Sequence, residues 1–179
     1  LLGVDFTIHT ADIDETMDPA LPPEQEVARV GEEKAEAVAA QCASEDIVIA
    51  ADTIVVVDGQ ILGKPKSEAD AVRMLSLLSG RRHEVMTGLT VLQSGRMQRC
   101  VVRTGIEFRP LSDREIRAYV ATGEPMDKAG AYGIQGGASI FVRHLDGDYF
   151  CVMGLPLCPL AEMLRACGVQ VLGDDGRGA

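Results

Sequence analysis

The sequence predicts a single α/β domain, with a mixed, twisted sheet flanked by helices, and three observations carry that reading. Runs of β-branched and aromatic residues alternate with amphipathic stretches of helical period. At 179 residues and 46% hydrophobic content, the chain can bury one core of ordinary size. No internal repeat or linker-like stretch divides it, so residues 1–172 read as one domain. Residues 173–179, rich in Gly and Asp, read as a flexible tail.

The elements follow in order. Leu1-Leu2-Gly3 has the pattern of a helix end, and Val4 to His9 alternates as a strand would. Pro22 to Ala43 carries a helical pattern in which Val27, Val30, Ala35 and Val38 share the chain with glutamates. Ile47 to Val57 is a nearly continuous β-branched run closed by Asp58-Gly59, which predicts a buried strand and a turn. Ser67, with Asp70 three residues on, opens a helix that stops near Gly80. His83–Leu92 and Met97–Arg109 form a hairpin pattern around Ser94-Gly95. Ser112 and Glu115 make a capping box for a helix ending at Gly123. Ile140–His144 and Tyr149–Met153 flank Asp146-Gly147 as a second hairpin signal. Leu155–Cys167 reads as a closing helix and Val169–Leu172 as an edge strand.

Charge and cysteine usage narrow the function. A formal net charge of −10 opposes binding to nucleic acid or other polyanions, so an anionic ligand needs local cations, amides or a metal. No apolar run approaches the roughly 20 residues of a membrane span. Five scattered cysteines, without a CxxC pair, predict reduced thiols and a cytoplasmic location. His9, His83 and His144 stand apart from them, which disfavours zinc.

Asp52 interrupts an otherwise apolar strand, and a carboxylate there needs a partner. Either backbone amides or a lysine satisfy it at a sheet end, or it serves as a base or metal ligand at a cleft. Gly59 to Pro65 resembles a P-loop superficially but fails: three residues separate its glycines, and Pro65 stands where a Ser or Thr hydroxyl is needed. Lys64 is left as a solvated turn residue or a stiffly mounted phosphate ligand. Asp12-Ile13-Asp14-Glu15 is a solvated acidic loop or a source of hard oxygen ligands for Mg²⁺. Glu33-Lys34 would ordinarily be a surface pair. Gly123 to Gly137 holds five of the 19 glycines, and Gln135 within it can both donate to and accept from a base edge. A loop of that length is uncommon without a role.

Taken together, these blocks resemble the Maf family of nucleoside triphosphate pyrophosphatases. The resemblance runs through Asp12–Glu15, Glu33-Lys34-Ala35, Ala51–Val57, Gly63-Lys64-Pro65, His83 with Thr87, Gly123–Gly136 and Gly147-Asp148-Tyr149. It implies a nucleotide-binding cleft and hydrolysis between the α- and β-phosphates. By that resemblance Asp52 accepts a proton from water, while Glu15, Lys34 and Lys64 line the phosphate site. Glu15 and Asp52 would ligate a divalent cation, Mg²⁺ or Mn²⁺. Thr53 and Gln135 would help choose the base, and a homodimer is implied. Asp127-Lys128 with Tyr132-Gly133-Ile134-Gln135 looks like the branch acting on dTTP and UTP, with modified pyrimidine nucleotides as further substrates, not the N7-methyl-GTP branch. The family pattern also has a strand and a Ser/Arg turn upstream of Leu1, which the sequence given does not contain. A non-catalytic nucleotide-binding regulator of cell division is the alternative reading.

Overall fold

A computed structural model describes residues 2–18 and 20–172; the expected tail at 173–179 lies outside the described residues. Five strands order as β2-β1-β3-β4-β5, from β1 (Val48–Val57), β2 (Gln60–Leu62), β3 (Arg82–Gln93), β4 (Arg96–Phe108) and β5 (Val142–Asp146). The helices are α1 (Pro23–Ala39), α2 (Glu68–Leu78), α3 (Asp113–Val120), α4 (Tyr149–Met153) and α5 (Leu157–Ala166).

Every pairing among these strands is antiparallel, which corrects the expected mixed sheet. The physical reason is the short β2 hairpin. It reverses the chain before α2, so the helical crossover joins β2 to β3, two strands that flank β1 and do not pair with each other.

The predicted local signals mostly hold. The Ser67 hydroxyl accepts from the Asp70 N–H at the start of α2, and Ser112 with Glu115 closes a full capping box on α3. Three expected strands are absent. Val4–His9 alternates, yet no described strand pairs with it; Phe6 and Ile8 stand 77% and 87% exposed. Alternation without a ladder partner does not make a strand. Leu2 and Gly3 likewise show no helix. Tyr149–Met153 is a helical turn, because Asp148 caps the Phe150 N–H at 2.7 Å and Gly154 ends it in the left-handed region. Cap chemistry there overrides the β-rich composition. Val169–Leu172 is irregular, with Val171 buried against Leu160 and Leu164.

Both faces of the sheet are covered. On one, α1 packs Val27 against Ile54, Val56 and Met86. Its approach depends on Gly88: a Cβ there would lie 2.4 Å from the Val27 carbonyl oxygen. On the other face, α2, α3 and the turns after residue 123 enclose a core that includes Val55, Leu75, Phe108 and Tyr132. β2 pairs only with Val55–Val57, so the edge of β1 upstream of that contact opens into a cleft reached from both faces.

Candidate active site

The cleft is a cavity of about 770 Å³, within the range that takes small organic ligands. Adjacent residues of β1 point to opposite faces of the sheet. Asp52, opposite Gly88, belongs to the α1 face, and Thr53, opposite Thr87, to the other. Because the cavity lies at the strand edge, both residues line it.

On the α1 side, close helix packing brings Lys34 to Asp52. The Lys34 ammonium donates to Asp52 Oδ1 at 2.7 Å and lies 2.8 Å from Glu15 Oε1. Burial pushes the Asp52 carboxyl above its ordinary range, against the hydrogen bond and charge of Lys34. Burial also opposes the charge on Lys34, but its bonds to Asp52 and Glu15 outweigh it and raise its pKa overall. The Glu15 carboxyl is lowered, chiefly by its hydrogen bond to Lys34. Asp14, its neighbour, turns away and accepts from the N–H and hydroxyl of Thr16.

What holds Glu15 there was not singled out from sequence. Glu26, 0% exposed on α1, accepts from the Asp18 N–H and from Arg29. Arg29 also donates to the Thr16 carbonyl and to both oxygens of Glu33. This clamp fastens the acidic loop to the helix that carries Lys34. The available signal was a glutamate two residues past a helix-starting Pro-Glu, beside Val27 in an apolar stripe.

Lys64 is exposed on the cavity rim, and its charge bears on Asp52, Glu15 and Asp127. The Gly63 carbonyl accepts from the Gly130 N–H at 3.0 Å, which ties the Lys64 mount to the glycine-rich loop. Gly130 has φ +67°, and a Cβ there would meet Val55 at 2.8 Å, so only glycine fits that crossing.

The opposite wall is the loop itself. Gln135 is exposed at its tip and lines the cavity with Gly133, Ile134 and Gly136. Tyr119 and Glu124 hold its base. The Tyr119 hydroxyl donates to Glu124 Oε1 at 2.9 Å and accepts from the Gly133 N–H at 3.1 Å. Glu124 Oε2 accepts from the Gly137 N–H at 3.0 Å. Both ends of the Gln135 turn are thus fixed by one phenol–carboxylate pair. Behind it, Tyr132 pairs its hydroxyl with buried His83 Nε2 at 2.9 Å.

All six residues singled out from sequence therefore line or flank one cavity: Glu15, Asp52, Thr53, Lys64 and Gln135 on its walls, with Lys34 bonded to two of them. The family model described as "Maf-like protein" matches residues 1–167. The chain belongs to this Maf-like family. Its relatives include the dTTP/UTP pyrophosphatase of Moorella thermoacetica, 50% identical over 96% of this chain and 89% of that protein. The dTTP/UTP pyrophosphatase of Geobacter sulfurreducens is 51% identical over 93% of this chain and 87% of its own length. That of Geotalea uraniireducens is 48% identical over 93% and 86%. No helix among the described residues is long and apolar enough to cross a membrane.

Glu15 and Asp52 are the oxygen donors that a hard cation would use here. Glu15 and Asp52 aim oxygens at a single positive charge, the Lys34 ammonium, from 2.8 and 2.7 Å. No group of three or more His, Cys, Asp or Glu able to hold a metal occurs among the described residues. An ion bound there would complete its shell with water and substrate oxygens, which suits Mg²⁺ better than a cation needing an all-protein cage.

Proposed function

We propose that this chain hydrolyses dTTP and UTP, and modified pyrimidine nucleotides of the same form, to the nucleoside monophosphate and pyrophosphate. The observation that supports this most is the convergence of a largely buried carboxylate, two lysines and a glycine-rich amide loop on one cavity. In this reading Asp52, held by Lys34 and with its basicity raised by burial, takes a proton from water. The water oxygen forms a bond to the α-phosphorus, the bond to the α–β bridging oxygen breaks, and pyrophosphate leaves with that electron pair. Lys64 meets the triphosphate from the rim, and Thr53 and Gln135 read the base. Glu15 and Asp52 would hold Mg²⁺ or Mn²⁺, whose charge would offset that of the triphosphate. The same reading includes a cytoplasmic location and a homodimer, the latter checked by sedimentation velocity.

Incubation with dTTP, UTP and N7-methyl-GTP, with and without Mg²⁺ or Mn²⁺, tests the proposal. The expected products are dTMP or UMP with pyrophosphate, formed only with metal and faster than any product from N7-methyl-GTP. Release of orthophosphate alone, or preference for N7-methyl-GTP, would overturn it. Nucleotide binding without turnover would favour the regulatory reading instead.

A further inference from the structure

Thr53 and Thr87 are register partners across β1 and β3, and their hydroxyl oxygens lie 2.9 Å apart. Thr87 is wholly buried. A threonine hydroxyl has one hydrogen to give and lone pairs with which to accept. Thr87 donates its hydrogen to the backbone carbonyl of Cys151 at 2.7 Å, and a carbonyl can only accept. The hydrogen between the two threonines therefore comes from Thr53. The chain from Thr53 to Thr87 to the Cys151 carbonyl runs in one direction. Thr53 is left with lone pairs alone to offer the cavity it lines.

We infer that Thr87 is a positioning residue that fixes Thr53 as an acceptor facing N3 of the base, so the site favours a pyrimidine that carries a hydrogen on N3. The inference rests on the dTTP and UTP reading and deepens it. Thymine and uracil carry a hydrogen on N3, whereas cytosine has an unprotonated acceptor at that position. Against cytosine, two acceptors face each other and both lose the hydrogen bond that water would have supplied. Without the Thr87 oxygen, Thr53 could turn its own hydrogen into the cavity and serve either ring. The hydrogen bonds of the two threonine side chains run to each other and to the Cys151 carbonyl, not to Asp52, Lys34 or Glu15, so the filter acts on base choice.

Steady-state kcat/KM for UTP, CTP and N3-methyl-UTP, on the unaltered protein and on Thr87→Val and Thr87→Ser, tests this. The unaltered protein should favour UTP over CTP by about tenfold or more, and should treat N3-methyl-UTP as poorly as CTP. Thr87→Val should shrink the UTP-to-CTP ratio by about tenfold, with CTP turnover rising. Thr87→Ser, which keeps the hydroxyl, should retain the ratio. A purely structural role for Thr87 would slow both substrates together and leave the ratio intact, which overturns the inference. If Thr87→Val does not fold, N3-methyl-UTP still decides: turnover equal to UTP overturns the inference while the proposed function stands. No turnover of any pyrimidine triphosphate overturns both.

Discussion

The two walls of the cavity are held by different means. On the α1 side, the polar groups facing the cavity are ions held by other ions: Glu15 and Asp52 by Lys34, with the loop behind Glu15 clamped by Glu26 and Arg29. On the loop side, Gln135 and the backbone of Gly133 and Gly136 share the cavity lining with Glu124 and with Asp127 and Lys128, which pair with each other. The turn that carries Gln135 is held by hydrogen bonds to Tyr119 and Glu124, with the buried Tyr132–His83 pair behind it. The difference fits two tasks. A triphosphate is handled by charge, which acts at a distance and tolerates small misplacement. A base is chosen by donors and acceptors whose direction must be fixed, because a free rotor accepts either partner.

The sharpest way to break this contrast is to neutralise the ionic wall at Asp52, its less exposed carboxylate. Asp52→Asn should lower kcat for dTTP by about 10²–10⁴-fold while binding of the nucleotide persists, as measured by steady-state kinetics and equilibrium dialysis. In the unaltered protein, the raised Asp52 pKa means that the base is lost on acidification sooner than an ordinary Asp would be. kcat/KM should therefore fall with decreasing pH through a value above 3.8, and a limb at or below the ordinary carboxylate range would count against Asp52 as the base. A smaller effect is expected at the rim. Lys64→Ala should raise KM for UTP and CTP alike, by about 10-fold or more, without changing the ratio between them. A shift in that ratio would mean that the walls are not separable.

The walls also differ in how far sequence reveals them. Asp52 stood out because an ionisable residue in an apolar strand demands a partner, and Lys64 because Gly63 and Pro65 stiffen its mount. Such signals are local, and the fold only had to bring them together. The antiparallel sheet was less legible, since alternation in Val4–His9 and β-rich composition in Tyr149–Met153 say nothing about whether a partner strand is present. Least legible were the supports. Glu26, Tyr119 and Glu124 act through partners 8, 14 and 13 residues away in sequence, and the direction of the Thr53 hydroxyl is set by a carbonyl on another element. No spacing rule encodes a contact that exists only once the chain has closed on itself.

The smallest expected effect tests whether the loop wall depends on neutral support. His83 packs edge-on against Phe108 and Tyr132, and burial pushes its pKa down from 6.5 to about 4. The folded protein thus keeps His83 neutral where the unfolded chain would protonate it. The stability that this neutral pair contributes is fully present above pH 6.5 and is lost as pH falls toward about 4. At about pH 5.5 the loss from this residue alone is on the order of 1 kcal/mol, equivalent to a drop of a few degrees in Tm for a domain of this size. His83→Gln can still hydrogen-bond Tyr132 but has no proton to gain. Its Tm should therefore fall less than that of the unaltered protein between pH 7 and about 5.5, as followed by calorimetry at matched ionic strength. Parallel Tm profiles would show that acid reaches the loop wall by another route, and that the neutrality of His83 is incidental to how the wall is held.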